Sequence, residues 1–264
     1  MHLKFSLILI FSFYINFATA ADLKIATTTS TQGSGLLDSL IPAFEKYSGV
    51  RLKVFSVGTG TALRMGRQGK VDILLVHAPP AEKKFISDGY GILRTPVMKN
   101  DFIIVGPKSD PAKINSFNDV NKAFKQIYET QNQFVSRGDD SGTHKKEMSI
   151  WTSCKIIPYG DWYFESGIGM YASLQLANSK SAYILIDRGT WLAKRKSTNL
   201  IMHVEGDTSL INPYHVIAIN PEKYPNVNLK AAKKFMKWIT GKHGHKIINA
   251  LRVDDEQLFT VTLK

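Results

Sequence analysis

A single cysteine, Cys154, stands in 264 residues, so no internal disulfide can form. If the chain is exported, burial alone must then stabilise it, and the length suffices for one large core or two modest ones. Past the first 20 residues no apolar run is long enough to span a bilayer. Internal repeats, low-complexity tracts and long flexible linkers are missing. So are the G-x-S-x-G elbow, the H-E-x-x-H pair and any clustered metal-ligand spacing, which removes the common hydrolase and zinc signatures. The pair His243 and His245 flanks Gly244 and reads as a surface turn. The formal net charge of +12 comes without a dense basic run. A diffuse positive field of this kind attracts small anions.

What is present begins with an export pattern. Lys4 precedes an apolar stretch at 5–17, and Ala18-Thr19-Ala20 then supplies an A-x-A cleavage site. That order is the secretory signal pattern. It places the mature N-terminus at Ala21 and the protein in the periplasm, where no nucleic-acid partner is expected. No cysteine follows the cleavage site, so a lipid anchor is not expected either, and a freely soluble monomer is.

The mature chain alternates short apolar strands with amphipathic helices. Strands are expected at 23–26, 50–57, 71–76, 102–105, 134–136, 182–186 and 214–219. Helices are expected around 36–44, 62–67, 82–87, 117–130, 141–153, 170–177, 230–239 and 243–251, the first with a bend at Pro42. Such alternation predicts an α/β fold with mostly parallel sheets flanked by helices. Ligands in such sheets bind beyond the carboxyl ends of the strands.

Three polar, glycine-bearing segments fall in those places. The first runs from Thr27 to Gly35 and holds five consecutive hydroxyl residues before a helix. One hydroxyl would be enough for a cap. The second, Val57 to Thr61, has Gly58 and Gly60 but carries Leu63 where a dinucleotide fingerprint needs its last glycine. The third, Arg137 to His144, offers a forked guanidinium and the first turn of a helix, with Asp139 placed to hold Arg137. Together they nominate Thr29, Ser30, Thr59, Thr61, Arg137, Ser141, Gly142 and Thr143 as anion-binding donors. Hydroxyls and helix N-terminal N–H groups are neutral donors suited to replacing an anion's water. Six or seven bonds to a charged group contribute on the order of 10–20 kcal/mol gross.

Six strings carry a family resemblance: ATTTS at 26–30, VGTG at 57–60, VHAP at 76–79, NDFIIVGP at 100–107, SRGDDSGTH at 136–144 and DRGT at 187–190. In this order, over nearly the whole mature chain, they resemble the tungstate-binding proteins of the Tup ABC transporters. One departure is Ile168 in GIGM at 167–170, where the resemblance leads one to expect glutamine. The resemblance implies a two-lobed type II periplasmic binding fold with the ligand cleft between lobes. Lobe I would comprise 21–104 and 213–264, and lobe II 105–212, with crossovers near 102–105 and 211–215. It implies tungstate as ligand, molybdate as its rival, no cofactor, no catalysis, and a membrane permease as partner.

His77 ends the strand that begins at Val71-Asp72. More distant phosphate-binding relatives carry a carboxylate at the matching place, which accepts the proton of a protonated phosphate. With His77 there, unprotonated oxyanions are expected to be favoured over phosphate. The alternatives are a binding protein for sulfate, phosphate or an amino acid, and a periplasmic hydrolase.

Overall fold

The computed structural model describes residues 22–262; the expected signal peptide lies outside them. Among the described residues, no helix is long and apolar enough to cross a membrane.

Two sheets share one long strand. The first sheet orders β2 (Leu52–Val57), β1 (Leu23–Thr28), β3 (Ile73–Val76), β9 (Ile211–Ile219) and the first part of β4 (Gly91–Pro107). Here β1 pairs in parallel with β2 and β3, while β9 runs antiparallel between β3 and β4. From Phe102 onward β4 leaves β9 and pairs with β7 (Tyr183–Asp187), and further along with β8 (Leu200–Val204). The second sheet continues in parallel to β5 (Phe134–Ser136) and β6 (Tyr163–Glu165). Each sheet therefore runs mostly one way with a single long strand reversed, as the alternation predicts.

Both faces of both sheets are covered, which is why the strands read as continuous apolar runs. All four residues of β3 are buried. On one face of the first sheet, Leu23 and Ile25 pack on Leu40 and Phe44 of α2 (Leu36–Ser48) and on Phe235 of α9 (Leu229–Ile239). On the other face, Ala26, Leu74 and Val76 meet Leu63 of α3 (Thr59–Arg67) and Phe85 of α4 (Pro79–Ser87). In the second sheet, Phe102, Ile104 and Leu185 face Phe124 of α5 (Val120–Glu129) and Trp151 of α6 (Gly142–Ser153).

Some boundaries differ from expectation. Strand β4 is 17 residues long, where only 102–105 stood out as apolar. Helix α2 continues through Pro42 to Ser48. Helix α3 starts at Thr59 and not at 62. Strand β6 and helix α8 (Arg188–Lys194) were not anticipated. Both are too short to show a period.

Candidate anion-binding cleft

The carboxyl ends of the parallel strands all lead into helices. Thr28, the last residue of β1, caps α1 (Thr29–Gly33), its side chain accepting from Thr31 N. Strand β2 gives way through Gly58 to α3, β5 through the Arg137 loop to α6, β6 through Gly169 to α7 (Met170–Lys180), and β7 through Asp187 to α8. All five N-termini line one cleft of about 510 Å³. Each end brings unpaired N–H groups and partial positive charge to the same space. At Gly58 and Gly169 no side chain caps the helix, so those N–H groups stay available to a ligand.

Seven of the eight nominated residues line this cleft: Thr29, Ser30, Thr59, Arg137, Ser141, Gly142 and Thr143. Thr61 does not, which corrects the expectation. Its hydroxyl accepts from Arg64 Nη2 at 2.7 Å, one turn along α3. Thr59 has the most telling environment. It is 2% exposed, and its Oγ1 finds no hydrogen-bond partner among the described residues. A buried unpartnered hydroxyl costs about 1–3 kcal/mol, a cost a bound acceptor would remove.

Arg137 is 8% exposed at the foot of the third loop. Its Nε donates to Ile168 O at 3.0 Å and its Nη2 to Asp139 Oδ2. Two of its five donors are thereby spent on fixing the fork, and the rest remain. Burial pushes the Asp139 carboxyl up, but hydrogen bonds from Ser141 and the Arg137 guanidinium more than offset this and hold it below the usual range. Asp139 Oδ1 also accepts from Ser141 N at 3.1 Å, and Ser141 Oγ accepts from His144 N at 3.3 Å. The outward N–H groups of this turn are therefore those of Gly142 and Thr143. Ile168 contributes its carbonyl to Arg137, and its side chain is exposed outside the cleft lining. A glutamine amide is thus not needed to hold Arg137.

Two glycines are dictated by shape. Gly138 has φ of +57°, and a Cβ there would stand 2.9 Å from Glu165 Cβ. A Cβ on Gly142 would come within 2.9 Å of His77 Cε1.

His77 lines the cleft and is 7% exposed. Its Nε2 lies 3.2 Å from Thr28 Oγ1 and 3.3 Å from Ser30 Oγ, and its Nδ1 lies 2.9 Å from Asn212 Oδ1. Burial lowers its pKa below the ordinary value, against the Asn212 hydrogen bond and the carboxylates of Asp187 and Glu82. The ring is therefore neutral at neutral pH.

Sequence reasoning did not nominate Thr28, Met170, Tyr171, Asp187, Thr190 or Lys194 as site residues, and all of them line the cleft. Asp187 accepts from Thr190 N at 2.9 Å and from Thr190 Oγ1 at 2.7 Å, so its carboxylate is occupied as a helix cap. Lys194 Nζ sits 4.9 Å from the Tyr171 ring. The signal that could have found Asp187 is an Asp ending an apolar strand, with Thr three residues on.

Comparison with known proteins agrees with this architecture. The PBP superfamily domain matches residues 17–243. The tungstate-binding protein TupA of Peptoclostridium acidaminophilum is 48% identical over 226 residues, covering 85% of this chain and 79% of that one. TupA of Campylobacter jejuni is 45% identical over 240 residues, 89% of each. The solved structure of TupA from Desulfovibrio alaskensis superimposes with a TM-score of 0.83 at 42% identity, over 92% of this chain and 100% of its own. The chain therefore belongs to the PBP superfamily and, within it, to the family of the TupA proteins.

Proposed function

We propose that this chain is the substrate-binding component of an ABC importer, capturing tungstate, with molybdate as a secondary ligand, and delivering it to a membrane permease from the periplasm. The observation that carries this reading is the convergence of five helix N-termini, Arg137 and the unpartnered Thr59 hydroxyl on one cleft. A fully ionised tetrahedral oxyanion needs donors on every side, and these groups are donors. The two carboxylates nearby, Asp139 and Asp187, are already committed to Arg137 and Ser141 and to the cap of α8. The relatives named for tungstate support this ion over other dianions.

Release follows from motion of two lobes, 21–104 with 213–264 and 105–212. The pairing of β4 changes from β9 to β7 between Asp101 and Phe102, which suits a hinge there. Thermal-shift screening against tungstate, molybdate, sulfate, phosphate and amino acids tests the reading. Stabilisation should follow RT ln(1 + [L]/Kd) and be largest for tungstate. A larger shift with an amino acid would reject it.

One geometric feature favours a second reading. Ser30, His77 and Asn212 follow one another as in an acyl-transfer triad, near helix N-termini able to act as an oxyanion hole. Yet the Ser30 contact is long at 3.3 Å, and His77 shares the same nitrogen with Thr28. Turnover of p-nitrophenyl acetate that disappears in Ser30→Ala would establish this reading. None is expected.

A further inference from the structure

Behind His77 lies a buried polar cluster outside the cleft lining. Asn212, 1% exposed at the start of β9, is paired across the sheet with Asn100 of β4. Its Nδ2 donates to Asn100 Oδ1 at 2.8 Å and lies 3.3 Å from Tyr214 OH. That commitment turns its Oδ1 toward His77 Nδ1. The imidazole stacks on Tyr214 with ring centroids 4.5 Å apart, which holds its plane. Asn212 and Asn100 sit where the chain passes between the two sheets, so this cluster joins the crossover to the anion site.

We propose that Asn212 is a positioning residue for the anion cleft: its amide oxygen holds His77 as the Nδ1–H tautomer, and the Nε2 lone pair then decides which of Thr28 and Ser30 turns its hydroxyl to the anion. An oxygen next to Nδ1 requires a proton on Nδ1, which leaves Nε2 as an acceptor. One lone pair accepts one hydroxyl. Thr28 Oγ1 and Ser30 Oγ are both within reach and lie 3.0 Å from each other. The hydroxyl that donates to His77 is lost to the anion, and the other can turn to face it, Thr28 in competition with Thr31 Oγ1 at 2.8 Å. Protonating the ring reverses this. Nε2–H then donates, and neither hydroxyl is held as a donor to the ring. The charged groups acting on the ring are Asp187 at the start of α8 and Glu82 of α4, the latter already paired with Arg94 and His215.

The inference rests on the proposed oxyanion site, but its first test does not. In the ligand-free protein at pH 7, ¹⁵N NMR should show His77 as the neutral Nδ1–H tautomer. An Nε2–H signature would overturn the proposal without any variant being made. Asn212→Asp places a carboxylate against Nδ1. The His77 titration should then move up by about two pH units. Tungstate affinity at pH 7, read by calorimetry, should tighten about tenfold, as expected for one more hydrogen bond to a charged ligand. An unmoved titration, or an affinity unchanged while His77 is charged, would also overturn it. If the wild-type protein binds no tungstate while the tautomer is as stated, the functional reading fails and the tautomer assignment stands.

Discussion

Thr59 and Arg137 would serve the proposed anion site in different ways. The Thr59 hydroxyl is buried with no hydrogen-bond partner among the described residues, so it costs stability and leaves a donor for an acceptor in the cleft. Thr59→Val should leave the melting temperature unchanged or slightly raised while weakening tungstate binding about tenfold; calorimetry and thermal melts read both. Arg137→Ala removes the permanent charge and also releases the Asp139 carboxylate toward the anion. Its affinity loss should be about 3 kcal/mol or more, and unchanged affinity would remove Arg137 from the site. Gly142→Ala should weaken binding as well, because the new methyl group meets the His77 ring. Much of this was legible in the sequence, because clustered hydroxyls, a lone Arg and glycines after strand-like runs mark strand-to-helix turns. Thr61 misled because α3 begins at Thr59. Two residues further along a helix, a side chain points about 200° away. Tyr171 and Lys194 reach the cleft through tertiary placement of α7 and α8, and neither carries a local signature.

Among the elements, helix α6 does most to present the site, and its buried side carries an ionisable group. Glu147 is 1% exposed and accepts from Tyr163 OH at 2.6 Å and Trp151 Nε1 at 3.2 Å. Burial pushes its pKa up to about 7, against hydrogen bonds from Tyr163, Ser136, Trp151 and the Arg137 backbone. The unfolded chain loses this proton near pH 4.5, so the folded state binds it more tightly. The contribution of this group to stability therefore falls as pH rises from about 4.5 to 7, by on the order of 3 kcal/mol, and is constant above. Glu147→Gln should flatten that part of the profile in denaturant melts taken from pH 5 to 8. The apolar strands and longer helices were readable because their runs are bounded by glycine, proline and caps. The first part of β4 was not, since Arg94, Pro96, Lys99 and Asp101 interrupt its pattern while the backbone pairs with β9. Strand β6, three residues at the sheet's edge, has too little length to show alternation.

In the whole molecule, the parallel strands of two sheets aim their carboxyl ends at one space. The α/β class and the polar turns at the strand ends follow from the sequence pattern. The convergence of those turns does not, since it depends on β4 being shared between the sheets. A cleft of about 510 Å³ is roomier than one tetrahedral oxyanion requires. The proposed lobes should therefore close on ligand, and solution scattering should show a smaller radius of gyration with tungstate than without. The cleft is proposed to hold an unprotonated tetrahedral dianion by donors alone. Isothermal titration with tungstate at neutral pH, repeated with phosphate present as competitor, tests this. One site per chain of roughly nanomolar affinity, equivalent to about 12 kcal/mol, is expected, unaffected by equimolar phosphate. No binding heat with tungstate, or competition by phosphate at comparable concentration, would contradict it.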